Sequence, residues 1–137
     1  ALDLELEGRL GAYEGHPIGW WGRLTEPASP ASLESSVANA VGSSVRRLPG
    51  GPERIETVGV LTGGGGSFVA EAAELGLDAF VTGEGAHHNY FDATELGIHV
   101  IFAGHYATET FGVRALGQHL TDRFGIPNHF VHQPTGL

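Results

Sequence analysis

The residues best suited to chemistry are a histidine and a glutamate in the segment His105-Tyr-Ala-Thr-Glu109. Residues four apart on a helix share a face, so this imidazole and this carboxylate can reach one cation. The same spacing also occurs by chance on solvated helices, where it binds nothing. A catalytic zinc site commonly takes three protein ligands plus water, so the pair by itself predicts only part of a metal site.

Polar residues follow the ends of three apolar runs, each next to a glycine. In an open parallel sheet the carboxyl ends of the strands face one crevice, so residues at these ends would lie close together. This placement favours the metal interpretation of His105 and adds Glu84 and the pair His87-His88 as neighbours, although a histidine pair that opens a helix is equally consistent with solvent exposure or capping. The three run ends are Thr62 to Gly66, Thr82 to Glu84, and Ala103 to His105.

Four consecutive glycines, Gly63, Gly64, Gly65 and Gly66, precede Ser67 and a predicted helix. Their backbone N–H groups could approach a phosphate or another anion, helped by the positive end of the helix. The alternative is a tight strand-to-helix turn with no ligand. The segment lacks the Gly-Lys-Ser/Thr of a P-loop and the spacing of a dinucleotide signature, so both interpretations stay open.

Composition limits the class of protein. A chain of 137 residues with 41% hydrophobic content is the size of one globular domain with a single core. The net charge of −9 repels phosphate backbones and anionic lipid, which argues against non-specific nucleic-acid binding and membrane-surface binding. No apolar run approaches the roughly 20 residues of a membrane span, and we expect a soluble, cytoplasmic protein.

The residue types that are missing exclude several kinds of chemistry. All seven basic residues are arginine, so neither a Schiff-base lysine nor a P-loop lysine is available in this chain. The chain has no cysteine, which removes disulfides, thiolate nucleophiles and cysteine-type zinc sites. A metal site here must therefore use histidine and carboxylate ligands. His16, His119, His129 and His132 have no partner at ligand spacing, and we expect them to be structural or exposed.

From Thr57 onward the chain alternates apolar runs with amphipathic stretches, which predicts strands and helices in turn. Glycines at 76, 97 and 125, each followed by an aliphatic residue, predict left-handed helix ends. Such units favour parallel pairing, so the predicted fold is α/β, with a mostly parallel sheet covered by helices in repeating strand-helix units. The predicted strands are Thr57–Thr62, Ala79–Thr82, Ile98–Ala103 and a shorter Phe130–Val131, and helical spacing links Phe68, Ala72 and Leu75, and then Val113, Leu116, Leu120 and Phe124.

The first 56 residues are less informative. The aromatic run Gly19–Leu24 predicts a strand whose tryptophans fill the core or a subunit contact. Ser29 and Pro30 predict a helix start, with an N-cap followed by proline at the first helical position. We expect residues 1–56 to form a strand, a linker and a helix that share one globular unit with an α/β metal-site domain over residues 57–137.

Three motifs in residues 57–137 resemble the dinuclear-metal-centre family, also called GTP cyclohydrolase 1 type 2 or Ngg-interacting-factor-like proteins. They are the glycine-rich turn Val58-Gly-Val-Leu-Thr-Gly-Gly-Gly-Gly-Ser67, the segment Thr82-Gly-Glu-Gly-Ala-His-His88, and the signature Ile101-Phe-Ala-Gly-His-Tyr-Ala-Thr-Glu109. Their order and separation also agree with the family, whereas residues 1–56 match only loosely.

The resemblance implies roles for individual residues. His105 and Glu109 would be metal ligands, and Glu84 and His88 would line the site and transfer protons. The family holds two divalent ions per subunit, of Zn, Fe or Mn type, with further ligands from an adjacent histidine pair and an aspartate that precede this region. Neither has a match here, and His87-His88 lies in a different motif. We therefore expect the 137 residues to be the carboxyl-terminal portion of a longer protein, the alternative being a member that has lost its metal centre.

The function implied by the resemblance is a metal-dependent hydrolase acting on a nucleotide or a related small molecule, assembled as a ring-shaped homohexamer. One alternative is a metal-binding or protein-interaction module without turnover, since the family name records protein binding. A third is a structural domain that binds an anion at Gly63 to Gly66.

Overall fold

The computed structural model of the protein describes residues 2–134; Ala1 and residues 135–137, at the end of the predicted 57–137 portion, lie outside the described residues. Within residues 2–134, a single six-stranded sheet carries four α-helices, and the 3-10 turn Gly66–Phe68 leads into the second of them. The strands are β1 (Leu4–Tyr13), β2 (His16–Ala28), β3 (Arg46–Leu48), β4 (Ile55–Leu61), β5 (Ala79–Thr82) and β6 (His99–Phe102). The helices are α1 (Pro30–Val41), α2 (Val69–Glu74), α3 (Asn89–Leu96) and α4 (His105–Phe124).

The sheet is mixed, and the prediction of a mostly parallel sheet was wrong. Its strand order is β1-β2-β4-β5-β6-β3, in which only the β4, β5 and β6 pairings are parallel. The antiparallel part comes largely from a hairpin of β1 and β2, joined by Glu14 and Gly15 with φ of 49° and 80°. Two consecutive positive φ values suit the tight turns whose twist matches that of paired strands.

The predicted central elements are present. Strands β4, β5 and β6 lie within two residues of their predicted bounds. Helix α1 begins as expected, since the Ser29 hydroxyl accepts a hydrogen bond from the Ser32 N–H at 3.2 Å and Pro30 occupies the first turn. The predicted glycine ends are also found: residues 76, 97 and 125 have φ between 67° and 74°. These signals are local, so they are legible without knowledge of the tertiary structure.

Two expectations for the carboxyl-terminal part were wrong. The Phe130–Val131 run forms no strand; instead residues 125–134 run back beside α4, where the Asn128 amide donates to the Gly117 carbonyl at 2.9 Å. Helix α4 also does not cover the sheet with its apolar side, because Val113, Leu116 and Phe124 are each about 60% exposed. Thr108 is the one buried residue of this helix, so α4 meets the body of the domain through its first turn.

The core lies on both faces of the sheet. Side chains alternate along each strand, so Phe80 and Val100 point to the face covered by α2 and α3, while Val81 and Ile101 point to the face covered by α1. These four residues are at most 5% exposed. The two-sided packing fixes the three parallel strands, and with them the positions of the loops that follow their carboxyl ends.

The two tryptophans of β2 have different surroundings. Trp21 is partly buried and packs against the core, with its indole over Gly8, where an added Cβ would lie 2.5 Å from the indole Nε1. Trp20 is 42% exposed and lies beneath the Arg9 guanidinium at 3.0 Å. The core interpretation therefore applies to Trp21 alone. Among residues 2–134, no helix has the length and apolar content needed to cross a membrane.

Candidate functional site

The predicted convergence of three strand ends is present in the structure. The register pairs Leu61 with Thr82 and Thr82 with Phe102, so β4, β5 and β6 end side by side. The loops that follow are joined by their backbones, because the Gly83 N–H donates to the Gly63 carbonyl at 2.9 Å and the Gly104 N–H donates to the Gly83 carbonyl at 2.8 Å. The edge formed by these three loops carries the candidate site.

Three predicted residues lie in a row at this edge, with His105 between two carboxylates. The His105 Nδ1 is 2.8 Å from the Glu84 Oε1, and the His105 Nε2 is 3.2 Å from the Glu109 Oε1. Both contacts are hydrogen bonds only when both ring nitrogens carry hydrogen, as in imidazolium. The hydrogen bond to Glu84 is the main cause of a raised pKa of His105; slight burial opposes the rise, and the charge of Glu109 adds to it.

Gly63 forms the floor beneath His105 and Glu109. Its φ of 70° is in the left-handed region, and a Cβ added there would lie 2.7 Å from the Glu109 Oε1 and 3.1 Å from the His105 Nε2. A side chain at this position would therefore be strained and would press on both candidate ligands. Glycine at position 63 keeps clear the space in which the imidazole and the carboxylate meet.

Two threonines hold the glycine turn in place, and sequence reasoning gave neither a role. The Thr108 hydroxyl accepts a hydrogen bond from the Gly63 N–H at 3.0 Å, and the Thr82 hydroxyl accepts one from the Gly65 N–H at 3.0 Å. Both threonines are buried. Because the Gly63 and Gly65 amides are used within the fold, any backbone contact with an anion would come from Gly64 or Gly66. For Gly63 and Gly65, the structure therefore agrees with the interpretation of the segment as a tight turn.

Asn89 is a further residue that sequence reasoning missed. It is 1% exposed, its Oδ1 accepts a hydrogen bond from the Ala86 N–H at 2.7 Å, and its amide donates to the Gly66 carbonyl at 2.9 Å. It thereby ties the loop after β5 to the glycine turn after β4. Its position in the first turn of α3, directly after the histidine pair, was the available signal, since a buried polar side chain needs hydrogen-bond partners.

The two histidines of the pair point to different places. His88 lines a cavity of about 290 Å³ together with Glu84, Gly64 and Gly66, and its Nε2 lies 3.9 Å from the Asp92 carboxylate. The His87 ring meets the edge of Phe91, with 5.8 Å between ring centres, and lines a separate cavity. The structure therefore brings Glu84, His105 and Glu109 into contact, places His88 beside them, and turns His87 away.

The donor set suits a divalent cation in kind but is incomplete in number. His105 and Glu109 present one imidazole nitrogen and one carboxylate, which are ligands that Zn, Fe and Mn accept. Within residues 2–134, however, no group of three or more histidine, aspartate or glutamate side chains is arranged to hold a metal ion. The described residues therefore supply part of the ligand set of a metal centre.

In the metal-free protein, we expect the His105 pKa, followed by NMR titration of its ring protons, to lie above 6.5. Glu84→Gln should lower it most, since the Glu84 hydrogen bond is the leading cause of the rise, and Glu109→Gln should lower it less. Because the pKa of His105 is raised in the folded protein, protonation of His105 stabilises the fold. This stabilisation is fully present below the unfolded-state pKa and is lost as the pH rises through the folded-state pKa.

The matched control is Glu95→Gln, which removes an exposed carboxylate from α3 and should leave the His105 titration unchanged. A His105 pKa that did not respond to Glu84→Gln would contradict the contact between these two side chains.

The chain is similar in sequence to known proteins. A sequence model of the Duf34/NIF3 (NGG1p interacting factor 3) family matches residues 1–135. A Deinococcus radiodurans protein named GTP cyclohydrolase 1 type 2 homolog is 43% identical over 137 residues, which cover 100% of this chain and 52% of the relative. A Halobacterium salinarum protein of the same name is 42% identical over 139 residues, covering 99% of this chain and 54% of the relative.

Solved structures show the same fold. The protein ybgI, described as of unknown function, superposes with a TM-score of 0.88 at 34% identity, over 97% of this chain and 52% of that one. A protein from Thermus thermophilus superposes with a TM-score of 0.71 at 34% identity, over 93% of this chain and 50% of that one. The chain spans about half the length of the curated relatives it matches.

Proposed function

The chain belongs to the Duf34/NIF3 (NGG1p interacting factor 3) family, and from this premise we propose that it contributes part of a dinuclear metal centre to a metal-dependent hydrolase acting on a nucleotide or a related small molecule. The observation that carries the proposal is the row Glu84–His105–Glu109, with contacts of 2.8 and 3.2 Å over the side-chain-free Gly63. His105 and Glu109 are the proposed ligands.

Glu84 acts on the metal through His105. Metal-bound imidazoles usually donate their second ring N–H to a carboxylate, which fixes the tautomer and the ring orientation. The 2.8 Å contact between the His105 Nδ1 and the Glu84 Oε1 is such a contact, and it leaves the Nε2 on the side of Glu109 as the metal-binding nitrogen. Glu84 is thus proposed first as a positioning residue, and a proton-transfer role would require it to release His105.

His88 is the better placed of the two proposed proton carriers. Its side chain is 69% exposed and lines the cavity that Glu84 borders. Its position beside the site suits His88 to transfer a proton to a departing group. His105 and Glu109 would hold part of a pair of divalent ions, of Zn, Fe or Mn type, which would supply an activated water and polarise the scissile group. The remaining ligands are proposed to come from the longer protein, since the relatives are about twice as long.

The second candidate function is a non-catalytic metal-binding or protein-interaction module. The observation that favours it is the apolar side of α4, where Val113, Leu116 and Phe124 are about 60% exposed and suited to burial against a further polypeptide surface. The same surface supports the proposal of a homo-oligomer, which by the family resemblance would be a hexamer. We also propose a cytoplasmic location. The third function, anion binding at the glycine turn, is less favoured because the Gly63 and Gly65 amides bond to threonines.

Metal analysis and a hydrolysis screen of the protein, produced at the length of its relatives, test the proposal. Nucleotides and related phosphate and ring-containing compounds are incubated with the metal-loaded protein, with and without a chelator. Chelator-sensitive hydrolysis supports the hydrolase. Two bound ions per chain without turnover would favour the interaction module, and absence of bound metal would contradict both metal-based functions.

A further inference from the structure

A second cavity, of about 440 Å³, lies behind the loop that carries Glu84. It is bounded by the first residue of β3, the last residue of β6 and the start of α3. Its walls include the Gly85-Ala86 backbone, which also borders the cavity of Glu84 and His88. Gly85 and Ala86 thus border both cavities, at the edge of the sheet where open α/β folds place ligands.

Arg46 at the rim of this cavity differs from the other arginines. Among residues 2–134 it is the arginine whose guanidinium has neither a carboxylate in ion-pair contact nor an aromatic ring beneath it. The other six are matched as follows: Arg23 with Glu7 and Glu56, Arg47 with Glu34, Arg54 with Glu56, Arg9 with Trp20, Arg114 with Phe130, and Arg123 with Phe124.

Two aromatic side chains line the same cavity. Phe102 is directly opposite Arg46 in the antiparallel pair of β3 and β6, so the two side chains are neighbours on one face of the sheet. The Phe102 ring also packs on Gly85, where an added Cβ would lie 2.5 Å from the ring Cζ. Tyr90, in the first turn of α3, is 45% exposed and contributes a second ring. The cavity therefore offers flat apolar surface beside one free positive charge.

We propose that this cavity binds the non-reacting part of the substrate, a small molecule with a planar aromatic ring and an anionic group. The ring lies against Phe102 and Tyr90, and the anion pairs with the Arg46 guanidinium, whose planar donors suit phosphate or carboxylate. The inference rests on the proposed function, since it places the reacting end of the same molecule beyond Gly85, near Glu84 and His105. Binding energy from such a remote group can orient the reacting end.

The test uses guanosine monophosphate as a probe that combines both features, with guanosine and inorganic phosphate as single-feature probes. Each is titrated without metal into the protein produced at the length of its relatives, and backbone amide shifts of Arg46, Gly85 and Ala86 are followed by NMR. We expect saturable shifts with the nucleotide and weaker binding, by about tenfold, for each single-feature probe. Arg46→Gln should weaken nucleotide binding by about tenfold, whereas Arg9→Gln, an exposed arginine of the same charge, should not change it.

Each outcome has a definite meaning. If guanosine binds as well as the nucleotide, or if Arg46→Gln has no effect, the anion contact is wrong; if inorganic phosphate binds as well as the nucleotide, the aromatic contacts are wrong. Tyr90→Leu gives an independent check of the ring surface without altering β3. Because no metal or turnover enters the experiment, its failure leaves the hydrolase proposal intact, and failure of the hydrolase screen leaves the binding result intact.

Discussion

Expressed as the 137 residues alone, the protein should hold at most one divalent ion per chain, weakly, and should hydrolyse no nucleotide above background. The described residues offer only the His105 imidazole and the Glu109 carboxylate to a shared cation, and a catalytic zinc site commonly takes three protein ligands. Two neighbouring cations would also repel each other with little negative charge between them. Equilibrium dialysis with Zn²⁺ or Mn²⁺, followed by elemental analysis, measures the stoichiometry.

The comparison is the same protein at the length of its relatives, in which we expect two ions per chain and measurable hydrolysis. If the 137 residues alone bound two ions tightly, the ligand assignment would have to extend to Glu84 and His88, which lie beside His105. Circular dichroism of the short chain shows whether a negative result reflects missing ligands or a missing fold.

At the length of the relatives, His105→Ala and Glu109→Ala should each lower metal affinity by about 100-fold or more. Loss of partners that only orient a ligand already costs roughly 10–100-fold, so loss of a ligand should cost at least as much. Both side chains are substantially exposed, at 38% and 57%, so the fold should survive either change. Elemental analysis and competition with a metal-sensitive dye give content and affinity.

His119→Ala is the matched control, since it removes an exposed histidine from the same helix without touching the strand ends. Equal metal content in the control and in both site variants would show that His105 and Glu109 are not ligands. Glu84→Gln should give an intermediate loss, because it keeps the imidazole but removes the carboxylate that orients it.

The part of the site that the sequence predicted was encoded locally. The spacing of His105 and Glu109 and the position of Glu84 after a strand were enough to bring three side chains together, because parallel strands end at one edge. The structural roles of Thr82, Thr108 and Asn89 depend on which backbone amides come within reach after the loops fold. These contacts depend on the tertiary structure, so the polar side-chain types alone did not predict them.

The fold was predicted best in the part of the chain where strands and helices alternate, from β4 to β6. The amino-terminal hairpin was missed although the alternation Leu4-Glu5-Leu6-Glu7 and the Glu14-Gly15 turn were available as signals. Glycines interrupt both strands, prolines interrupt β2, and Leu6 is 58% exposed, so the apolar pattern did not mark one buried face. For α4, the helical period was correct, but a period shows that a face exists and does not show what covers it.

The most direct test of the account is anomalous diffraction from crystals of the protein, at the length of its relatives, soaked in Zn²⁺ and measured at the zinc absorption edge. We predict a peak about 2.0–2.1 Å from the His105 Nε2 and within coordination distance of a Glu109 oxygen, with the His105 Nδ1 still bonded to Glu84. Peaks confined to His87, His88 or His119, with none beside His105, would contradict the proposed metal centre.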